Sequence, residues 1–259
     1  MSIVRFLTMP VAVGLFFFAS AAGAVEIKVL ISGGFSAALA ELKPEFERAT
    51  GHRLVITRAA SMGSAPETIP SRLQRGEPAD VLVMVGDALE ELARQGRVAA
   101  GTRIDLALSL LGMSVRAGAP KPDIKTVETF KRAMLEAKSV VFSTSASGVY
   151  FSSKLFLQLG IADQMKAKSR SIGNEPVGPM VARGDAEVAL AQISELLPVK
   201  GLDYAGPLPS EIQMVTVFSG AVAAGAGEPQ AARALLEFLA SPLAAPAIFK
   251  SAMEPMKSP

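Results

Sequence analysis

Cysteine is absent from all 259 residues, which excludes disulfides, thiolate metal sites and a cysteine nucleophile. Histidine occurs once, as His52. It has neither a serine–acid partner pattern nor a second ligand beside it in sequence, so it reads as a turn residue rather than a catalytic base or metal ligand. A charge excess of one sign is also missing. The 26 basic and 24 acidic residues leave a net charge of +2, and no nucleic-acid surface is expected. Beyond the N-terminus every apolar run is broken by charge, Gly or Pro, so no later membrane span is expected. There is no low-complexity tract or sequence repeat, and no cofactor loop or metal set is recognisable.

What is present begins with a leader pattern at 1–24. Arg5 is followed by the apolar run from Phe6 to Ala19 and then by Ala22-Gly23-Ala24, which fits a small-residue cleavage site. The run is short for a span and ends without a basic stop signal, so an exported chain cleaved after Ala24 is expected. The remaining 235 residues carry a net charge of about +1 and are long enough for two lobes. Export without disulfides fits a bacterial periplasm.

Along the mature chain, strand and helix patterns alternate. Ile27, Val29 and Ile31 read as a strand that stops on Ser32-Gly33-Gly34, and Phe35, Leu39, Leu42 and Phe46 then recur at helical spacing. Ser32 is positioned to cap the helix, and the glycines let its free N–H groups approach a ligand, a geometry suited to an anion. A glycine pair after a strand also serves as a plain βα turn. A second strand, from Arg53 to Arg58, leads into Ala59-Ala60-Ser61-Met62-Gly63-Ser64 and a helix ending near Arg75. A third follows at Asp80–Val85. This βαβαβα order calls for a parallel sheet with ligands at the carboxyl ends of its strands.

The long apolar segment from Ile104 to Val115 is able to carry the chain into a second lobe, and that from Ile212 to Ala223 is able to return it. The expected lobes are 25–105 plus 216–259, and 106–215. Between them the strand Ser139–Phe142 ends on Ser143-Thr144-Ser145-Ala146-Ser147-Gly148, with Val149-Tyr150-Phe151 opening a helix. Near the end of the second lobe a strand runs into Gln192-Ile193-Ser194-Glu195.

Three turns with helix N-termini directed at one cleft would hold an anion with backbone N–H groups, aided by the hydroxyls of Ser32, Ser61, Ser64, Thr144, Ser145 and Ser147. Arg58 either faces a second carboxylate of the ligand or pairs with a neighbouring acid at the surface. Phe35 and Tyr150 either wall the cleft or pack in the core.

With these turns placed, the chain resembles the periplasmic molybdate-binding proteins, within the type II periplasmic binding proteins. The markers are Pro78-Ala79-Asp80-Val81, Ser147-Gly148-Val149-Tyr150 leading to Leu159-Gly160-Ile161, and Gly184-Asp185-Ala186-Glu187. The resemblance implies two α/β lobes joined by two crossover strands, a small anion in the cleft, a monomer, and the membrane subunits of an ABC importer as partners. It carries ligand contacts onto Ser32, Ser61 and the N–H groups of Ser147 and Val149 or Tyr150. The family's tyrosine has no counterpart, because Gln192 and Ser194 stand in that motif, and the third turn carries hydroxyls where the family opens on Asp-Pro. These departures point to a larger ligand with more acceptor oxygens, a di- or tricarboxylate. One branch resembling this chain is an aconitate isomerase on the same scaffold.

Two functions therefore compete. One is a binding protein closing on an anion. The other is an isomerase moving a proton along an unsaturated tricarboxylate, with either a carboxylate such as Glu195 or a hydroxyl in a perturbed environment as base. An anion-sensing domain of a transcription regulator lacks support, since no helix-turn-helix segment accompanies the leader.

Overall fold

The computed structural model describes residues 23–173 and 175–256; apart from Gly23 and Ala24, the expected leader lies outside the described residues. In chain order the strands are β1 (Glu26–Ile31), β2 (Arg53–Arg58), β3 (Val81–Val85), β4 (Ile104–Ser109), β5 (Leu111–Arg116), β6 (Val140–Ser143), β7 (Ser169–Ile172), β8 (Val188–Gln192), β9 (Leu202–Pro207), β10 (Thr216–Val222) and β11 (Met253–Pro255). They form two sheets. The first runs β11-β4-β10-β3-β1-β2 and the second β7-β6-β8-β5-β9. In the first, β1 pairs in parallel with β2 and β3, and β10 lies antiparallel between β3 and β4. In the second, β6 pairs in parallel with β7 and β8, and β5 is antiparallel to β8 and β9. Helices flank both sheets in the two-lobed architecture that the sequence implies.

Every residue of β3 is buried, which is what a strand covered by helices on both faces requires. The first core gathers Ile27, Val29 and Ile31 of β1 with Leu39 and Phe46 of the helix Gly33–Thr50 and Leu235 and Leu236 of the helix Pro229–Ala240. The second centres on Phe130, Phe142, Phe151 and Phe156. Asp80 explains its place in the Pro78–Val81 motif. It is buried, and its carboxylate accepts the N–H of Lys28 at 2.7 Å and that of Glu228 at 3.0 Å, tying β1 and the start of the helix Pro229–Ala240 to β3.

Only Leu110 separates β4 from β5, so the apolar run from Ile104 to Val115 is two strands, one in each sheet. The division expected after residue 105 falls inside β4, whose ladders with β10 and β11 reach Ser109.

Helix starts differ from expectation in two places. After Ser61 the chain stays irregular until the helix Ile69–Gln74, because the hydroxyl of Thr68 accepts the Ser71 N–H and Pro70 supplies a preset φ just inside the helix. After β6 the helix begins at Ala146 rather than Val149, with Ser145 as N-cap, and passes into a π-helical turn at Phe151–Leu155. The edge strands β7 and β9 give no clear apolar alternation and carry no strand expectation from sequence.

Candidate functional site

A cavity of about 380 Å³ lies between the two sheets. Its walls come from the carboxyl ends of β1, β2 and β3 on one side and of β6, β7 and β8 on the other, which is where open parallel sheets place ligands.

The first-lobe wall starts at Ser32, the N-cap of the helix Gly33–Thr50. Ser32 is buried with extended backbone, and its side chain makes no capping bond, contrary to the expectation for its hydroxyl. The first turn of this 18-residue helix contains no acid, so the positive end of its dipole is not neutralised from within the turn. Both glycines are required by close approach. A Cβ on Gly33 would land on the Glu195 carboxylate and the Arg58 guanidinium, and one on Gly34 would strike the ring of Phe218.

Charged groups line the cavity in an opposed arrangement. Arg58, at the end of β2, donates from Nη2 to Glu195 Oε1 at 2.6 Å. Burial pushes the Glu195 carboxyl up from its ordinary value, and the neighbouring Arg58 only partly offsets this. Arg72 is held within its own lobe. Its Nη1 donates to both Glu77 oxygens at 2.8 and 2.9 Å, and its Nε to the Glu67 carbonyl at 3.0 Å. From the second lobe, Glu175 accepts from Arg183 at 2.9 Å.

Hydroxyls and amides supply the neutral donors. Ser143 and Ser147 place their oxygens 3.4 Å apart, and the Ser145 N–H donates to the Ser143 hydroxyl at 3.3 Å. Gln192, at the end of β8, donates from Nε2 to Thr216 Oγ1 at 2.9 Å.

Eight of the expected residues share this cavity: Ser32, Gly33, Gly34, Arg58, Thr144, Ser145, Ser147 and Gln192. The others sit elsewhere. Phe35 is fully buried in the first core, tilted against Phe218 at 6.5 Å between ring centroids. The Ser61 hydroxyl accepts the Val85 N–H at 3.1 Å, a bond that fixes the end of β3 instead of meeting the cavity. Met62 packs against the first core, while Gly63 and Ser64 line a separate depression with Pro70 and Gln74. Gly148 lies against the Ser143 carbonyl, where a Cβ would not fit. Val149 is 47% exposed on the outer face of its helix. Tyr150 packs beside the second core and donates its hydroxyl to the Ile212 carbonyl at 2.8 Å. Ser194 is buried outside the cavity wall. The sequence reading misses Glu67, Arg72 and Glu175. Glu67 and Glu175 sit on connections, where neither periodicity nor a turn motif marks them.

Residues 27–252 match the family model described as bacterial extracellular solute-binding protein. The chain belongs to that family. This solute-binding protein is 47% identical over 230 residues to an aconitate isomerase from a Pseudomonas species, covering 89% of this chain and 88% of the relative. It is 27% identical over 244 residues to the molybdate-binding protein ModA of Azotobacter vinelandii, covering 90% and 92%. Among solved structures, the Azotobacter vinelandii periplasmic molybdate-binding protein superposes with a TM-score of 0.73 at 19% identity, over 88% of this chain and 98% of that one. The fold is that of the type II periplasmic binding proteins, in a branch related to the molybdate binders. Among the described residues, no helix is long and apolar enough to cross a membrane.

Proposed function

We propose that the cleft binds an unsaturated tricarboxylate of the aconitate type and interconverts its isomers by moving an allylic proton. The observation that carries this reading is Glu195, a carboxylate of raised pKa in the cavity wall beside Arg58. An anionic side chain there opposes a bound oxyanion except where Arg58 offsets its charge, whereas an isomerase has a use for it as a base. The extensive identity to an aconitate isomerase supports the same reading.

The chemistry needs a base at the methylene and donors for the charge that develops. Glu195 takes the proton from the CH₂ group, and the electron pair spreads through the double bond into the adjacent carboxylate. The proton then returns to the former vinylic carbon, which shifts the double bond. No atom is lost or gained. A raised pKa suits a group that must both take and return a proton. Arg58, the first-turn N–H groups and the hydroxyls of Ser32, Ser145 and Ser147 are suited to holding the ligand carboxylates and the enolate-like charge. The two lobes contribute donors from opposite sides, so hinge closure completes the site.

The test is proton NMR of cis- and trans-aconitate with purified protein in D₂O. Interconversion is expected, with deuterium entering the methylene only to the extent that the proton on Glu195 exchanges with solvent before it returns. Absence of turnover by a folded sample refutes the isomerase. A second reading, uptake by an ABC importer whose membrane subunits receive the closed monomer, is favoured by membership of the solute-binding family. Thermal stabilisation by a carboxylate without turnover selects it. Both readings place the mature protein in the periplasm after loss of residues 1–24, a cleavage that N-terminal sequencing of the exported protein tests.

A further inference from the structure

Gln192 is only 3% exposed, lines the cavity, and has an amide satisfied at one end. Its Nε2 donates to Thr216 Oγ1 at 2.9 Å, while Oε1 has no partner among the described residues. A buried orphan carbonyl in the wall of an anion site is unfavourable twice over, since it forgoes a hydrogen bond and presents a negative dipole end to a negative ligand. The partner resolves this. A threonine hydroxyl both donates and accepts, so Thr216 can hold the amide in either orientation. When Thr216 donates to Oε1, the amide turns over and Nε2 takes the place of the orphan oxygen, carrying N–H donors to the ligand.

We propose that Thr216 is a positioning residue that sets which end of the Gln192 amide meets the ligand, so that the pair offers N–H groups to a ligand carboxylate oxygen. The two residues come from different sheets, Gln192 from the end of β8 and Thr216 from the start of β10, so the bond also joins the lobes at the base of the cleft. The inference rests on the carboxylate reading of the cavity and adds a determinant outside its lining, since Thr216 does not itself belong to the cavity wall.

The test measures binding of tricarballylate, a saturated tricarboxylate that cannot isomerise, by calorimetry to full-length mature protein and its variants. Thr216→Ser keeps the hydroxyl and is expected to bind within about twofold of the parent, whereas Thr216→Val loses one oriented hydrogen bond and weakens binding about tenfold. Gln192→Glu keeps the shape but removes the donor, and weakens binding further at neutral pH. If Thr216→Val does not fold, Thr216→Ala, which likewise lacks the hydroxyl, takes its place in the comparison with Thr216→Ser. Parental affinity in Gln192→Glu, or equal loss in Thr216→Ser and Thr216→Val, overturns the proposal while leaving the carboxylate reading intact. Failure of the parent protein to bind tricarballylate or either aconitate isomer overturns that reading, and this inference with it.

Discussion

Arg58 and Glu195 meet at 2.6 Å across the cleft, one at the end of β2 in the first sheet and the other in the helix that follows β8 in the second. Their side chains are 42% and 19% exposed, so the pair is unequally solvated and the carboxylate bears most of the desolvation. Two opposed influences set its proton affinity: burial raises it and Arg58 lowers it. Replacing Arg58 by Gln removes the charge that lowers it, together with one of the donors proposed for the ligand. The acid limb of the pH–rate profile for aconitate interconversion is therefore expected to move to higher pH, read by NMR on the parent and variant in parallel. A limb that stays in place would mean that Glu195 is not the titrating base.

Glu195→Gln separates chemistry from binding. Turnover is expected to fall about 10²- to 10⁴-fold, the usual contribution of a positioned general base, with tricarboxylate affinity retained. The same variant carries a stability prediction. Because the folded-state pKa lies above the unfolded one, the contribution of Glu195 to stability is fully present below the unfolded pKa and is lost as pH rises through the folded value. Once ionised, the group thus opposes folding. The Gln variant is expected to melt higher than the parent at neutral pH, an advantage that vanishes in acid, as followed by calorimetric melting at both.

Ser32 and Ser61 look alike in sequence, each following a strand, but Ser32 lines the cavity while the Ser61 hydroxyl accepts the Val85 N–H. Ser61→Ala leaves the Val85 N–H without its acceptor and is expected to cost about 1–3 kcal/mol of stability. Ligand affinity of the folded fraction should stay near parental. Ser32→Ala loses no hydroxyl hydrogen bond of the cap and is expected to keep stability while weakening carboxylate binding. Denaturant titration combined with calorimetric binding distinguishes the two, and the reverse pattern would exchange their roles.

Phe35 belongs to the core. Phe35→Ala is expected to destabilise by about 3–5 kcal/mol through the cavity left beside Phe218, with Phe35→Leu costing much less. Urea unfolding measures both. A loss of ligand affinity at unchanged stability would instead place Phe35 at the cleft.

Much of this architecture was legible because local rules and tertiary context agree. The spacing of Phe35, Leu39, Leu42 and Phe46 predicts the helix Gly33–Thr50, and all four face the core. Asp80 stood out within a motif, and its buried carboxylate turns out to join three segments. The site was half legible. Strand-to-helix turns announce backbone donors, and Ser32, Ser145 and Ser147 at such turns line the cavity. Whether a serine hydroxyl meets a cavity or a neighbouring strand depends on contacts distant in sequence, such as the bond between Ser61 and the Val85 N–H. Glu67 and Glu175 enter the wall only because the two lobes bring their connections together.

The position of β10 has a consequence for biogenesis. This strand separates β3 from β4 in the first sheet, yet every strand of the second sheet precedes it in the chain. As the polypeptide emerges, the second lobe has all its strands while the first still has an unfilled seam with two bare edges, the kind of surface that recruits foreign strands. Polypeptides cut short ahead of residue 216 therefore combine one complete lobe with an adhesive one, and quality control of this protein is a matter of its last sixth.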